Sequence, residues 1–243
     1  MERAESWTVV SWNLQGRERP RVLLPSAALG EFDADVVALQ EVRWWQAWRI
    51  ARRLRMRVDW RLKHFPFTRF VFPFAEGAAI LTPHELRQRG STEISLGRPL
   101  TTYRRRIAQW ATVQRADGET LQVFNAHLSP GSLADDRRGE AGRLADLVRR
   151  RSSGHHQLIA GDLNDADEPE VIEILPLTEH ARPAPTNPTI DPSQVLDHVL
   201  LPSGAVHERT AVPQTEGIWV QMSDHLPVIV TFRLPGDDAG SAG

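Results

Sequence analysis

Short runs of β-branched, aromatic and aliphatic residues, each closed by a polar side chain, recur along the chain. Trp7 to Trp12 runs into Asn13, Asp35 to Gln40 into Glu41, Leu121 to Ala126 into His127, and Gln157 to Gly161 into Asp162. Val195 to Leu201 carries Asp197 within its run, and Leu226 to Val230 follows Ser223, Asp224 and His225. Runs of this length bounded by turn-forming residues predict strands, although periodicity alone does not exclude buried helix. Between them, Leu133 to Arg151 has Asp135 and Asp136 early and Arg149 to Arg151 late, with Gly154 placed to follow its end. That charge order complements a helix dipole and predicts a helix. Gln46 to Arg57 sets Trp48, Ile50, Ala51 and Leu54 among arginines, as a surface helix does. Pro183 to Pro192 reads as a loop and Pro235 to Gly243 as a small polar tail. No internal repeat or long linker divides the chain, so residues 1–234 are expected to form one catalytic domain and residues 235–243 a flexible tail.

Composition narrows the picture. A chain of 243 residues with 41% hydrophobic and 25% charged residues suits a soluble globular protein with one large core. Without cysteine, a disulfide framework, a thiolate metal site and a cysteine nucleophile are all excluded. The N-terminal segment has no apolar stretch of signal-peptide length and no later segment approaches a membrane span, so a cytoplasmic protein without stable membrane insertion is expected. The formal net charge of −2 hides an asymmetry: Arg43 to Phe72 holds eight arginines and one lysine against one aspartate, a local +8 that leaves −10 for the remainder. Much of that acidity falls in short clusters, which suit a cation.

Taken singly, each polar strand end has an ordinary reading. Glu41 could be a surface acid favouring the dipole of the helix that follows, and Asn13 simple turn chemistry. Asp162 and Asn164 could form an Asx turn capping a helix over Glu170 to Leu175. An EF-hand is a further competitor, since Asp162, Asn164 and Glu173 occupy its first, third and twelfth positions. It fails at Ala166, at Asp167 where glycine is required, and because a strand precedes it. A lone His127 could be structural. Asp197 among aliphatic neighbours needs a partner, and a histidine ring whose tautomer it fixes is a natural one. Asp197 and His198 should face opposite sides of a strand, which leaves His225 as the candidate.

Together these segments resemble a known family. "SWNLQG", "VVALQEV", "FNAHLSP", "IAGDLND", "VLDHVLLP" and "SDHLPVIVTF" occur in the order and approximate spacing of the endonuclease/exonuclease/phosphatase family, the deoxyribonuclease-I-like superfamily, and span Ser11 to Phe232. The resemblance implies an α/β fold, a four-layer αββα sandwich of two mainly antiparallel sheets, where periodicity alone leaves a parallel doubly wound sheet open. It further implies a site at one edge of the sandwich and a divalent-metal-dependent phosphoesterase. In that reading Glu41 is the principal ligand of Mg²⁺ (or Mn²⁺), with Asn13 and Asp224 beside it, Asp224 alternatively serving a second metal position. His127, Asp162, Asn164, Asp197 and His225 carry the catalytic work. The sequence departs from the family at Ala78, where many members place asparagine after the glycine. Glu76 is the candidate for the carboxylate that supports the His127-type histidine, and Arg106 is a candidate phosphate contact.

The Arg43–Phe72 stretch interleaves Trp44, Trp45, Trp48, Trp60, Phe65, Phe67, Phe70 and Phe72 with positive charge, favouring a nuclease acting on DNA or RNA, although core tryptophans under outward arginines are an alternative. A phospholipid- or inositol-phosphate-directed phosphodiesterase or phosphatase is the enzymatic alternative, acting on a lipid headgroup or phosphorylated small molecule. A non-catalytic phosphate-binding module is the alternative from another class. Oligomeric state is not legible.

Overall fold

The strand-like runs assemble into two sheets of six strands. β1 (Ser6–Asn13), β2 (Val36–Arg43), β3 (Arg57–His64), β4 (Glu76–Thr82), β11 (Val206–Ala211) and β12 (Val228–Arg233) make one, ordered β11-β12-β1-β2-β4-β3. β5 (Glu85–Glu93), β6 (Ile107–Gln114), β7 (Thr120–His127), β8 (His156–Asp162), β9 (Glu179–His180) and β10 (Asp197–Leu201) make the other, ordered β5-β6-β7-β8-β10-β9. The structure is a computed structural model that describes residues 6–235 apart from 17, 20, 66–73, 153, 167–169, 178, 182 and 215–216. Phe67, Phe70, Phe72, Asp167 and all but the first residue of the expected tail lie outside the described residues.

Alternation along the strands builds the layers. In β1, Trp7 and Val9 join a core shared with Val123, Leu158 and Val199 of the second sheet, so they lie between the sheets. Val10 and Trp12 point the other way, into a cluster with Leu29 of α1 (Leu23–Gly30) and Ile50 of α2 (Trp44–Leu54). The second sheet does the same: Phe124 and Ile159 pack on Leu144 and Val148 of α3 (Ala134–Arg150) and Val171 of α4 (Glu170–Ile174). Helix, sheet, sheet and helix follow in that order, the four-layer sandwich expected.

Each sheet is antiparallel except for one central pair, β1 with β2 and β7 with β8. Those four strands therefore run the same way within their pairs; β1, β7 and β8 end in Asn13, His127 and Asp162, and Glu41 lies two residues before the end of β2. Gly161 is required by close approach: a Cβ there would meet the Ala126 carbonyl oxygen of β7 at 1.9 Å.

Boundaries differ from expectation where backbone chemistry intervenes. α2 stops at Leu54, short of Arg57, because Arg55 takes a left-handed φ of 57° and the Met56 N–H bonds back to the Ala51 carbonyl. Arg57 instead opens β3, whose edge position tolerates the same mixture of arginines and apolar residues. α3 ends at Arg150, so Gly154, at φ 77°, turns the chain toward β8 rather than ending the helix. β12 begins at Val228, after Pro227, which has no N–H to give a ladder. Asp197 is the first residue of β10 rather than an interior one.

At the pole away from these strand ends, Asp35 accepts from the Thr8 backbone N–H at 2.8 Å and from Arg115 at 2.9 Å, and lies 2.7 Å from the His84 ring. Burial alone would raise its pKa, but these partners outweigh it and hold the carboxyl below its ordinary 3.8. A group depressed in the folded state stabilises above its unfolded pKa and loses that contribution as pH falls through the folded value. Asp35→Asn is expected to cost about 3 kcal/mol at neutral pH. Chemical denaturation should show the gap to wild type closing below about pH 4; a gap constant down to pH 2 would refute the assignment.

Candidate active site

The residues expected at the site converge at one edge of the sandwich. His225 Nδ1 lies 2.7 Å from Asp197 Oδ2, and its Nε2 lies 3.8 Å from Asp162 Oδ2. Asp162 Oδ2 accepts a 3.0 Å bond from Asn13 Nδ2 and stands 3.6 Å from His127 Nε2. His127 Nδ1 is in turn 3.6 Å from Glu41 Oε1. A chain of close contacts thus links β1, β2, β7, β8, β10 and the turn before β12.

Local backbone explains how two of these side chains are aimed. In β2, alternation would carry Glu41 away from the inter-sheet face, since Val36 and Ala38 point inward and Val37 and Leu39 outward. A register shift between Leu39 and Val42, with Glu41 at φ 49°, breaks that alternation at the strand's end. Asn164, at φ 53°, and Gln15, at φ 45°, also occupy the left-handed region. Half of the six described non-glycine residues with positive φ therefore cluster here, which is where strain is most often held for function.

Electrostatics distinguishes the titratable groups. Burial would push His225 down, but the Asp197 and Asp162 carboxylates reverse this and raise it to about 10. His127 goes the other way: burial, with the Arg106 and Lys63 cations adding to it, drives it well below 6.5. Burial raises Asp162 to about 6 against the pull of His225. Burial, then the nearby Glu76 carboxylate, raises Glu41 to about 7. At neutral pH the site holds a charged imidazole, a neutral imidazole and crowded carboxylates.

Two groups of oxygen and nitrogen donors compete as a cation site. Asp162, Asp197 and His225 offer ligand atoms all within 4.8 Å of one another. In this cluster the 2.7 Å Asp197–His225 bond already occupies Nδ1 and Asp197 Oδ2, and Thr186 also donates to that oxygen, which leaves fewer free donor atoms for a cation. Glu41 fits better. Its carboxylate is crowded by the like charge of Glu76 and Asp162, and an oxygen ligand of this kind suits a hard cation. Asn13 Oδ1 accepts the Gln15 backbone N–H and Asp224 Oδ2 accepts Gln15 Nε2, leaving further lone pairs on both.

Asn164 places its backbone N–H 3.2 Å from Asp162 Oδ1, the Asx turn expected, and its amide donates to the Leu128 carbonyl. Asp162 does not cap α4; Asp165 accepts the Val171 and Ile172 N–H groups instead. Glu76 does not support His127. It bonds Lys63 at 2.8 Å, and Glu41 is the carboxylate nearest His127 Nδ1, which has no hydrogen-bond partner among the described residues. Lys63, Glu76, Arg106 and Glu41 line a cleft of about 420 Å³ together with Gln15 and Tyr103.

Three supporting residues escaped the sequence reading. Thr186 donates to Asp197 Oδ2 at 2.7 Å, Ser223 Oγ donates to the Asn13 carbonyl at 2.6 Å, and Gln15 tethers Asp224. Ser223 is named at the mouth of its strand and Gln15 lies inside a quoted motif, but neither carries an assigned role there. Thr186 lies in the proline-rich loop, and no local pattern marks it.

Two sheets whose polar strand ends gather carboxylates, amides and a His–Asp pair define a phosphoester-hydrolase type of site. The model of the endonuclease/exonuclease/phosphatase family matches residues 10–225, and the chain belongs to that family. Among solved structures, it is similar to an endonuclease/exonuclease/phosphatase from Bacteroides vulgatus (15% identity, TM-score 0.76, covering 96% of this chain and 100% of that one). It is also similar to D. rerio TDP2 complexed with a single-strand DNA product (18%, 0.73, 95% and 100%). A third is a mannosyl-6-phosphatase from Bacteroides thetaiotaomicron (16%, 0.70, 94% and 100%). Among curated proteins, none matches the sequence. No helix among the described residues is long and apolar enough to cross a membrane.

Proposed function

We propose that the protein is a divalent-metal-dependent phosphoesterase and that its substrate is DNA or RNA. The observation that carries the reading is the 2.7 Å Asp197–His225 pair beside Asp162, with Glu41 across His127. Glu41, Asn13 and Asp224 would hold Mg²⁺, which when bound supplies charge to a phosphoryl oxygen. Asp162, raised to about 6, is tuned to take a proton from the water that attacks phosphorus. His225, protonated at neutral pH, stabilises the phosphoryl charge and can return a proton to the leaving oxygen as the P–O bond breaks. Neutral His127 offers a hydrogen bond to the same oxygen or to the phosphate, and Asn164 borders the water.

Nucleic acid is favoured by the +8 stretch from Arg43 to Phe72 and by the DNA product seen with TDP2. A phosphatase reading draws on the mannosyl-6-phosphatase likeness. Purified protein with Mg²⁺ or Mn²⁺ should be offered single- and double-stranded DNA and RNA, abasic DNA, phosphoinositides, sphingomyelin and generic phosphoesters, with Glu41→Gln as the contamination control. Cleavage of nucleic acid by wild type alone supports the reading. Turnover confined to lipid or sugar phosphates transfers it to the alternative, and salt-sensitive binding with no turnover makes the protein a binding module.

A further inference from the structure

The outward face of α2 carries a surface that the catalytic reading leaves unused. Its inward face is Gln46, Ala47, Ile50 and Ala51, so Trp48, Arg49, Arg52 and Arg53 form the opposite, exposed stripe. Trp44 and Trp48 are 45% and 47% exposed, although tryptophan is highly buried on average. Arg49 lies over the Trp45 ring at 5.2 Å and Arg52 over the Trp48 ring at 5.7 Å. With Val22 and Leu23 at the start of α1, the stripe borders a groove of about 710 Å³.

The charge of this groove is uncompensated. Several arginines elsewhere are neutralised, Arg61 by Asp59, Arg115 by Asp35, Arg138 by Glu170 and Arg233 by Glu208. Arg49, Arg52 and Arg53 meet no carboxylate within ion-pair distance among the described residues. Three unpaired guanidinium groups, two of them stacked on indoles, present planar cationic faces to solvent. Such faces suit a phosphate backbone and unpaired bases that stack. A membrane-binding helix would show a continuous apolar stripe; here Val22 and Leu23 are the only aliphatic lining.

Resting on the nuclease reading above, we propose that this groove is an accessory site for single-stranded nucleic acid outside the catalytic cleft. α2 starts directly after Arg43, so Trp44 lies at most about 11 Å of chain from Glu41. The 11 residues of α2 extend about 16 Å, enough for roughly five nucleotides at duplex spacing. The site thus discriminates long strands from short ones.

The test compares wild type, the triple variant Arg49→Gln/Arg52→Gln/Arg53→Gln, and Trp48→Ala. Anisotropy in EDTA reads binding of a dT20 and a dT4 oligonucleotide; turnover of bis-p-nitrophenyl phosphate reads the cleft. The triple variant should weaken dT20 binding about tenfold or more and reduce the salt slope by about two, leaving dT4 and the small diester within about twofold. Trp48→Ala should weaken dT20 about fivefold or more. Unchanged dT20 affinity in both variants, or equal losses on the small diester, would overturn the inference, as would phosphatidylserine-vesicle binding, measured by co-sedimentation of the same three proteins, that falls in the variants while dT20 affinity does not. Should wild type hydrolyse no phosphoester, the proposed function fails while the anisotropy still decides the groove.

Discussion

Replacing His225 with alanine is expected to lower kcat about a thousandfold or more, because the side chain that stabilises charge and moves a proton is removed from a cooperating group. Alanine also leaves Asp197 buried with Thr186 as its remaining side-chain partner, since its Oδ1 has none among the described residues. That exposes the variant to a stability loss of about 3–5 kcal/mol, so a melting curve must accompany the assay. Asp197→Asn separates the two effects by keeping shape while removing the charge that raises the ring. Its activity should fall as pH rises through the ordinary histidine range near 6.5, whereas wild type keeps a protonated ring up to about 10. Stability follows the same sign: a raised pKa contributes fully below 6.5 and is lost as pH climbs through about 10. Wild-type turnover in His225→Ala would remove the His–Asp pair from the mechanism.

The parts of this site that sequence made legible are those where a strand's apolar alternation stops at an ionisable residue. Asn13, Glu41, His127 and Asp162 each close a β-branched or aliphatic run, and the two parallel pairs bring those ends to one edge. Partner choice was harder. Asp197 could be paired with His225 by excluding His198, because face alternation is a local rule. Glu76 is taken by Lys63 rather than His127, because a register shift between Leu62 and His64 sets Lys63 beside it, and no sequence interval reveals that shift. The left-handed backbone at Glu41 was equally hidden, since its cause is a bulge against β4 rather than any local turn residue. α2 ended early for a similar reason: apolar residues among arginines fit a helix face and an edge strand alike.

Glu41→Gln is expected to abolish most metal-supported turnover, about a hundredfold or more, while leaving the fold intact. Two stability measurements make the assignment sharper than the rate alone. Without metal, Glu41 is an acid whose folded pKa is raised from 4.5 to about 7, so the folded state binds its proton more tightly than the unfolded chain. Wild type should then lose up to about 3 kcal/mol between pH 4.5 and 7, a loss the neutral amide does not share. In EDTA at pH 8, Glu41→Gln should therefore melt at or above wild type. With Mg²⁺ at about a hundred times its dissociation constant, wild type should gain about 2.7 kcal/mol, and the variant should gain little. That crossing of the two curves is specific: a merely structural glutamate would lower stability in both conditions, and a cation held by Asp162 and Asp197 would stabilise the variant as well. Equal Mg²⁺-dependent gains in the two proteins would move the cation away from Glu41 and return the carboxylate to a supporting contact for His127.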